Sequence, residues 1–264
     1  MDTALKHRVN AARIAVKNQV AFFREQFGQV ASEWKVDDTR VTFADFAISE
    51  NVSAELRRYF AKDDFCSEES NPADEVLSLK SKYAWVIDPI DGTNNFALGI
   101  PACAISLAII KNGEPIYGFV YDFGGDRLIE GGEGEGVLIN QRRYQPKERE
   151  FTEKEGVVGI HFPLKPDVLE KLSPMLSKYR VRSMGSGTLI MVYAALGLLD
   201  GAIDYKVKVW DIAAACALIK ATGRTVHFID DNPFPMSEFH VNSPLLPYFA
   251  GSDGFSRFTE ELLA

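Results

Sequence analysis

Asp88-Pro89-Ile90-Asp91-Gly92-Thr93 places two carboxylates, a glycine and a hydroxyl within a few residues. Carboxylates this close repel each other unless a cation lies between them. Gly92 lets the backbone approach a ligand closely, and Thr93 adds a hydroxyl. The combination points to a divalent metal with a phosphate beside it, although an ordinary Asp-Gly turn accounts for the local pattern as well. Glu68-Glu69 and Asp211 are further acidic features. Oxygen donors of this kind suit magnesium, which prefers octahedral oxygen and keeps some water. Each has a plainer reading: a solvated patch for Glu68-Glu69, and a helix N-cap for Asp211.

These residues need a scaffold. Tyr83-Ala84-Trp85-Val86-Ile87 is continuously apolar and reads as a buried strand. Pro89 cannot donate to a ladder, so the strand is expected to stop there, with Asp88 and Asp91 in the connection beyond it. Leu5, Val9, Ala12, Val16, Val20, Phe23 and Phe27 recur at helical spacing, and Gly28 is placed to end that helix. Asp45 precedes a second stripe, Ile48, Val52, Leu56 and Tyr59, where it complements a helix dipole. Ala104 to Ile110 and Ile116 to Val120 flank Asn112-Gly113, a hairpin signal. Leu128-Ile129 and Val137 to Ile139 continue the antiparallel pattern, and the glycines from Gly132 to Gly136 read as a turn rather than a P-loop.

The charged stretch Gln141 to Glu155 is the best boundary, dividing the chain into 1–145, an α+β part with most of the acidic cluster, and 146–264, an α/β part. Beyond it strands and helices alternate: strands at Val157 to Ile160, Arg180 to Met184, Ala202 to Tyr205 and Thr225 to Ile229. Helices are expected from Pro166 to Lys178, after Gly185-Ser186-Gly187, and from Asp211 to Ala221. The pattern implies two α/β layers, antiparallel first and mixed second.

With 264 residues the chain can build a substantial core. Its formal charge of −8 argues against nucleic-acid binding and means that a phosphate site must offset repulsion locally, with metal ions or backbone N–H groups. No signal-peptide pattern and no bilayer-length apolar run is present, so a cytoplasmic protein without membrane partners is expected. Cys66, Cys103 and Cys216 are far apart, form no CxxC and read as buried thiols.

Trp85-Val86-Ile87-Asp88-Pro89-Ile90-Asp91-Gly92-Thr93-Asn94-Asn95-Phe96 and Trp210-Asp211-Ile212-Ala213-Ala214 resemble the two signatures of the inositol monophosphatase family, in the lithium-sensitive, metal-dependent sugar-phosphatase superfamily. Lys35 to Asp45, Ser67-Glu68-Glu69-Ser70 and Arg182 to Gly187 are similar to further family segments, in the same order. The resemblance implies a layered αβαβα sandwich of the inositol monophosphatase / fructose-1,6-bisphosphatase type, with an antiparallel N-terminal sheet and a mixed C-terminal one. It implies two Mg2+ ions per site, with a third near Glu69 in some members. Glu69, Asp88 and the Ile90 carbonyl would bind the first, and Asp88, Asp91 and Asp211 the second.

By the same resemblance Thr93 would orient the attacking water, Asp45 would orient Thr93, and the N–H groups of Gly92 and Thr93 would hold phosphate. Gly185, Ser186, Gly187 and Asp204 would face the substrate, a small phosphate monoester. Asp204 stands where inositol phosphatases have a glutamate, so the acceptor is shorter here. Ser67 replaces a usual glycine, and Gly223-Arg224 lacks the second glycine common there. His7, His161, His227 and His240 fall outside every motif, which disfavours a histidine nucleophile or a Ser-His-Asp triad. The activity implied is hydrolysis of inositol phosphate or a similar polyol or sugar phosphate. Histidinol phosphate, fructose 1,6-bisphosphate and 3′-phosphoadenosine 5′-phosphate are rival substrates. A non-catalytic regulator is the alternative of a different class, and a homodimer is expected on the resemblance alone.

Overall fold

The computed structural model describes residues 1–34, 40–69, 71–72, 74–148 and 150–264. The expected segment Lys35-Val36-Asp37-Asp38-Thr39, and Ser70, lie outside the described residues. The chain runs α1 (Thr3–Gln26), β1 (Ser32–Trp34), β2 (Arg40–Thr42), α2 (Phe43–Arg57), β3 (Asp64–Ser67), β4 (Leu77–Ser78), β5 (Tyr83–Asp91) and α3 (Thr93–Leu98). A meander follows: β6 (Ala104–Lys111), β7 (Glu114–Asp122), β8 (Arg127–Gly132), β9 (Gly136–Ile139) and β10 (Arg142–Tyr144). The rest alternates: β11 (Val157–Ile160), α4 (Pro166–Lys178), β12 (Arg180–Arg182), α5 (Gly187–Ala195), β13 (Gly201–Asp204) and α6 (Val209–Ala221). It closes with β14 (Thr225–Phe228), β15 (Glu238–Phe239), β16 (Tyr248–Gly251) and α7 (Asp253–Leu263).

A seven-stranded sheet has the order β10-β9-β8-β7-β6-β5-β3, and a five-stranded sheet the order β12-β11-β13-β16-β14. The second is mixed, with β12, β11 and β13 parallel and β16 antiparallel to β13 and β14. The first departs from the purely antiparallel expectation at one edge, where β3 runs parallel to β5. That pairing needs a crossover, and the chain between the two strands supplies it.

Side-chain alternation on β5 explains the continuous apolar run. Trp85 and Ile87 pack with Val16, Phe23, Ile48 and Leu56 of α1 and α2. Ala84 and Val86 pack on the other face with Ile212, Ala213 and Ala214 of α6 and with α5. A strand covered on both faces has no polar side to display. A third cluster joins Ile160, Ile203 and Phe249 to Leu172 and Met175 of α4 and Phe255 of α7. The layers are therefore α, β, α, β, α, with α5 and α6 in the middle. Residues from both sides of position 145 share the central cluster, so the halves are fused through α5 and α6.

The small residues of α6 let it lie close to the first sheet. A Cβ on Gly118 of β7 would sit 2.2 Å from the Ala214 carbonyl oxygen. Gly118→Ala is expected to destabilise the fold by about 1–3 kcal/mol, because neither backbone can retreat. Calorimetry should show a melting temperature lower by roughly 2–10 °C.

The strand itself corrects one expectation. β5 does not stop at Pro89 but continues to Asp91, with a register break between Asp88 and Asp91 against β6. Pro89 falls within the break, where no ladder donor is required. Asp88 and Asp91 thus stand on the bulged end of a rigid strand rather than on a connection. The three cysteines are free and buried, as read from their company. No described helix is long and apolar enough to cross a membrane.

Candidate active site

The ends of β5, α5 and α6 converge. Asp88, Asp91 and Asp211 each offer a carboxylate oxygen within 4.8 Å of the others. Each is held in place by N–H donors. The Ile90 N–H donates to Asp88 Oδ1 at 3.1 Å across the bulge. Thr188 N–H donates to Asp91 Oδ2 at 3.0 Å, and the Ser186 hydroxyl donates to the same oxygen. Lys208 N–H donates to Asp211 Oδ2 at 2.6 Å. Asp211 stands in the first turn of α6, which starts at Val209, and is not the N-cap that the plainer reading suggested.

Burial and mutual repulsion set the protonation of this group. Asp88 is 1% exposed, and burial, then the charges of Glu68, Asp91 and Asp211, push its pKa well above the ordinary carboxylate range. Burial and the charges of Asp91 and Glu68 likewise raise Asp211. Burial pushes Asp91 up to about 6, opposed by the Ser186 hydrogen bond, the His161 charge and the Thr188 N–H. Three close carboxylates with raised proton affinity constitute a site that a cation would complete.

The resemblance gives the first metal to Glu69; its neighbour Glu68 is the charge that acts most on Asp88 after burial, and it also acts on Asp211. β3 shows why. Phe65 faces the α1–α2 layer and Cys66 the α6 layer, and the Glu68 N–H continues the pairing onto the Ile87 carbonyl at 3.3 Å. Continued for that one residue, the alternation puts Glu68 on the side of Cys66, and the chain turns at Glu69, whose N–H donates to the Ser67 hydroxyl.

Thr93 opens α3 immediately beyond the strand. Its hydroxyl oxygen lies 2.8 Å from the Ile90 carbonyl and 3.2 Å from Asp45 Oδ1. The other Asp45 oxygen accepts from Thr42 N–H at 2.8 Å and from the Thr42 hydroxyl at 2.7 Å, which ties it to the start of α2. Gly92 has φ +81°, and a Cβ there would meet the Ala102 carbonyl at 2.8 Å, so only glycine fits the turn that presents Thr93. Gly185 also has positive φ, and a Cβ would lie 2.9 Å from the Asn95 amide. That amide bridges α3 to the loop before α5, donating to the Ala102 and Met184 carbonyls at 2.8 and 2.7 Å.

The expected substrate-side residues divide. Gly187 borders the carboxylates: a Cβ there would lie 3.7 Å from both Asp204 Oδ2 and Asp211 Cβ. Ser186 is fully buried and its hydroxyl is committed, donating to Asp91 and accepting from Leu189 N–H at the start of α5. It therefore positions Asp91 rather than facing a ligand. Asp204 is also fully buried, its Oδ2 3.0 Å from His161 Nδ1 and its Oδ1 accepting from Lys206 N–H at 2.8 Å.

His161 is the residue that sequence reasoning passed over. Its hydrogen bond to Asp204 raises its pKa against the effect of burial, and the Asp91 charge adds to the rise. It follows the last residue of β11, just as Asp204 ends the neighbouring parallel strand β13, with Ile160 opposite Ile203. A polar residue at the carboxyl end of a parallel strand is the signal that was there to read.

A five-layer αβαβα fold with a carboxylate cluster where β5 of the first sheet meets the middle helices α5 and α6 defines a class of layered proteins with a candidate metal site. The sequence profile of the inositol monophosphatase family matches residues 1–246. A fructose-1,6-bisphosphatase/inositol-1-monophosphatase of Aquifex aeolicus is 28% identical over 259 residues, spanning 93% of this chain and 94% of the relative. A Nus factor SuhB of Pasteurella multocida is 31% identical over 232 residues, spanning 86% and 85%. The solved structure of a Thermotoga maritima IMPase superposes with a TM-score of 0.82 at 24% identity, covering 97% of this chain and 96% of that one. The chain belongs to the inositol monophosphatase family. It is accordingly a phosphoric monoester hydrolase of that superfamily.

Proposed function

We propose that this protein hydrolyses the phosphate monoester of a small polyol, inositol monophosphate or a close analogue, with magnesium as cofactor. The cluster of buried Asp88 and Asp91 with half-buried Asp211 is the observation that carries the reading. All its donors are oxygens, which is the donor set of a hard divalent cation. Buried carboxylates with raised proton affinity fit such a cation better than they fit any internal partner. Asp88, Asp91 and Asp211 would hold one Mg2+, and Asp88, the Ile90 carbonyl and Glu68, in the role first assigned to Glu69, a second; a third would sit beside that glutamate. A divalent ion bound there supplies a water of lowered pKa and offsets charge on the phosphate and the leaving oxygen.

The chain's own groups do the rest. The Thr93 hydroxyl donates toward Asp45 or the Ile90 carbonyl, which leaves its oxygen lone pair to accept from an attacking water and orient it. Asp45, held by Thr42, fixes that direction. The N–H groups of Gly92 and Thr93 offer an anion two donors without adding formal charge, which suits a chain of charge −8. No covalent intermediate is required. A homodimer and inhibition by lithium accompany this reading as family-level proposals.

Phosphate release from a panel of esters, with Mg2+ and with EDTA, tests the reading. The panel is inositol 1-phosphate, histidinol phosphate, fructose 1,6-bisphosphate and 3′-phosphoadenosine 5′-phosphate. Turnover is expected to be highest on inositol 1-phosphate and to vanish with EDTA. Preference for histidinol phosphate would sink the inositol assignment. Absence of release from every ester would favour a regulatory protein that keeps the fold, a reading that the name of the Pasteurella relative makes specific.

A further inference from the structure

The acceptor expected of Asp204 is spent inside the protein. Its side chain is fully buried, and both oxygens are engaged, one by the Lys206 N–H and one by His161 Nδ1. A carboxylate carries no proton, so Nδ1–H of His161 is the donor in that pair. The imidazole side chain, in contrast, is 24% exposed. No described residue bonds its other nitrogen, Nε2.

The ring also stands at the right place. Asp204 Oδ2 and Asp211 flank the same empty Cβ position of Gly187, at 3.7 Å each. His161 is near enough to Asp91 for each charge to perturb the other. It follows the end of β11, beside the end of β13 where Asp204 stands.

We propose that His161, through Nε2, is the side chain that meets a substrate hydroxyl in this protein, and that Asp204 is the positioning residue behind it. The proposal rests on the polyol-phosphate reading above and assigns its selectivity to a named contact. The aspartate's lost reach is regained by one imidazole ring. A hydroxyl suits the ring in either state, because it can donate to the neutral Nε2 or accept from the protonated one. Asp204 fixes which nitrogen points outward, as a carboxylate partner does for a histidine generally.

The test compares two esters, inositol 1-phosphate and p-nitrophenyl phosphate, which has no hydroxyl to recognise. His161→Ala is expected to lower kcat/KM for inositol 1-phosphate about tenfold, the worth of one hydrogen bond, mainly through KM. Activity on p-nitrophenyl phosphate should change less than twofold. Asp204→Ala should reproduce the selective loss, and adding it to His161→Ala should cost nothing further. His161→Gln, which keeps a donor and an acceptor, should recover part of the selectivity.

Equal losses on both esters would overturn the proposal, since they indicate a structural role. So would a selective loss in Asp204→Ala with His161→Ala silent, which would make Asp204 the contact. A wild-type protein active on p-nitrophenyl phosphate but indifferent to inositol 1-phosphate would remove the hydroxyl contact while sparing metal-dependent hydrolysis. Wild-type inactivity on both esters with Mg2+ would instead refute the function reading itself.

Discussion

Asp91→Asn is expected to lower turnover by about a thousandfold, the several kcal/mol that a divalent ion contributes to stabilising charge in the transition state. The side chain keeps an oxygen that can accept from Thr188 and Ser186, so the local geometry has no reason to change. What disappears is one negative charge from a cluster whose oxygens lie within 4.8 Å of one another. Loss of that charge weakens cation affinity and removes repulsion at the same time. The metal-free variant should therefore melt at or above the wild-type temperature while its steady-state turnover collapses. Wild-type turnover would refute the metal assignment of Asp91. A collapse accompanied by a large fall in melting temperature would show that the residue matters for folding rather than for the cation.

The second large effect is on stability, and it has a definite sign. Asp91 is pushed up to about 6 from 3.8, and Asp88 and Asp211 are also raised. Between the unfolded and folded values the native state holds more protons than the unfolded chain, so stability falls as pH rises through that window. The loss is on the order of a few kcal/mol and belongs to the three interacting carboxylates together rather than to any one of them. In EDTA the protein should lose melting temperature as the pH goes from about 4 to above 6, beyond what ordinary surface carboxylates produce. Mg2+ at about a hundred times its dissociation constant should restore about 3 kcal/mol, roughly 5–10 °C. The recovery should be largest above pH 6, where the carboxylates are bare. Thermal melts across pH with EDTA or Mg2+ measure this directly. A metal-free protein that gains stability across the same window would contradict the assigned cluster.

Much of the fold was legible because burial leaves a trace in residue type. The strand through Trp85 and Ile87 read as buried since both its faces are covered, by α1 and α2 on one side and α6 on the other. The Asp88 to Thr93 segment declared its chemistry through two close carboxylates and a glycine that only a positive φ justifies. Pro89 misled, because a proline ends a regular ladder but is admitted at a bulge. The parallel β3–β5 pair was equally hidden, since strand direction is set by a crossover and leaves no local mark.

The functional residues divide along the same line. Asp88, Asp91, Thr93 and Asp211 were each singled out by type and spacing, and the fold brings the three aspartates together. Ser186 was chosen as a ligand-facing hydroxyl, but the first turn of α5 and Asp91 consume it. Between Glu68 and Glu69, adjacent and chemically alike, nothing local could decide.

Composition and motif by themselves gave the expectation that an acidic chain must handle phosphate with cations and backbone donors, and picked out the aspartates that the fold brings together. Tertiary structure decided the rest: that the Glu68 charge acts on Asp88 and Asp211, that Ser186 is a strut, and that the half-buried His161 caps the fully buried Asp204. The physical reason is that residue type fixes what a side chain can donate or accept. The alternation of β3 and the side-by-side ends of β11 and β13, arising from pairings distant in sequence, fix what it meets.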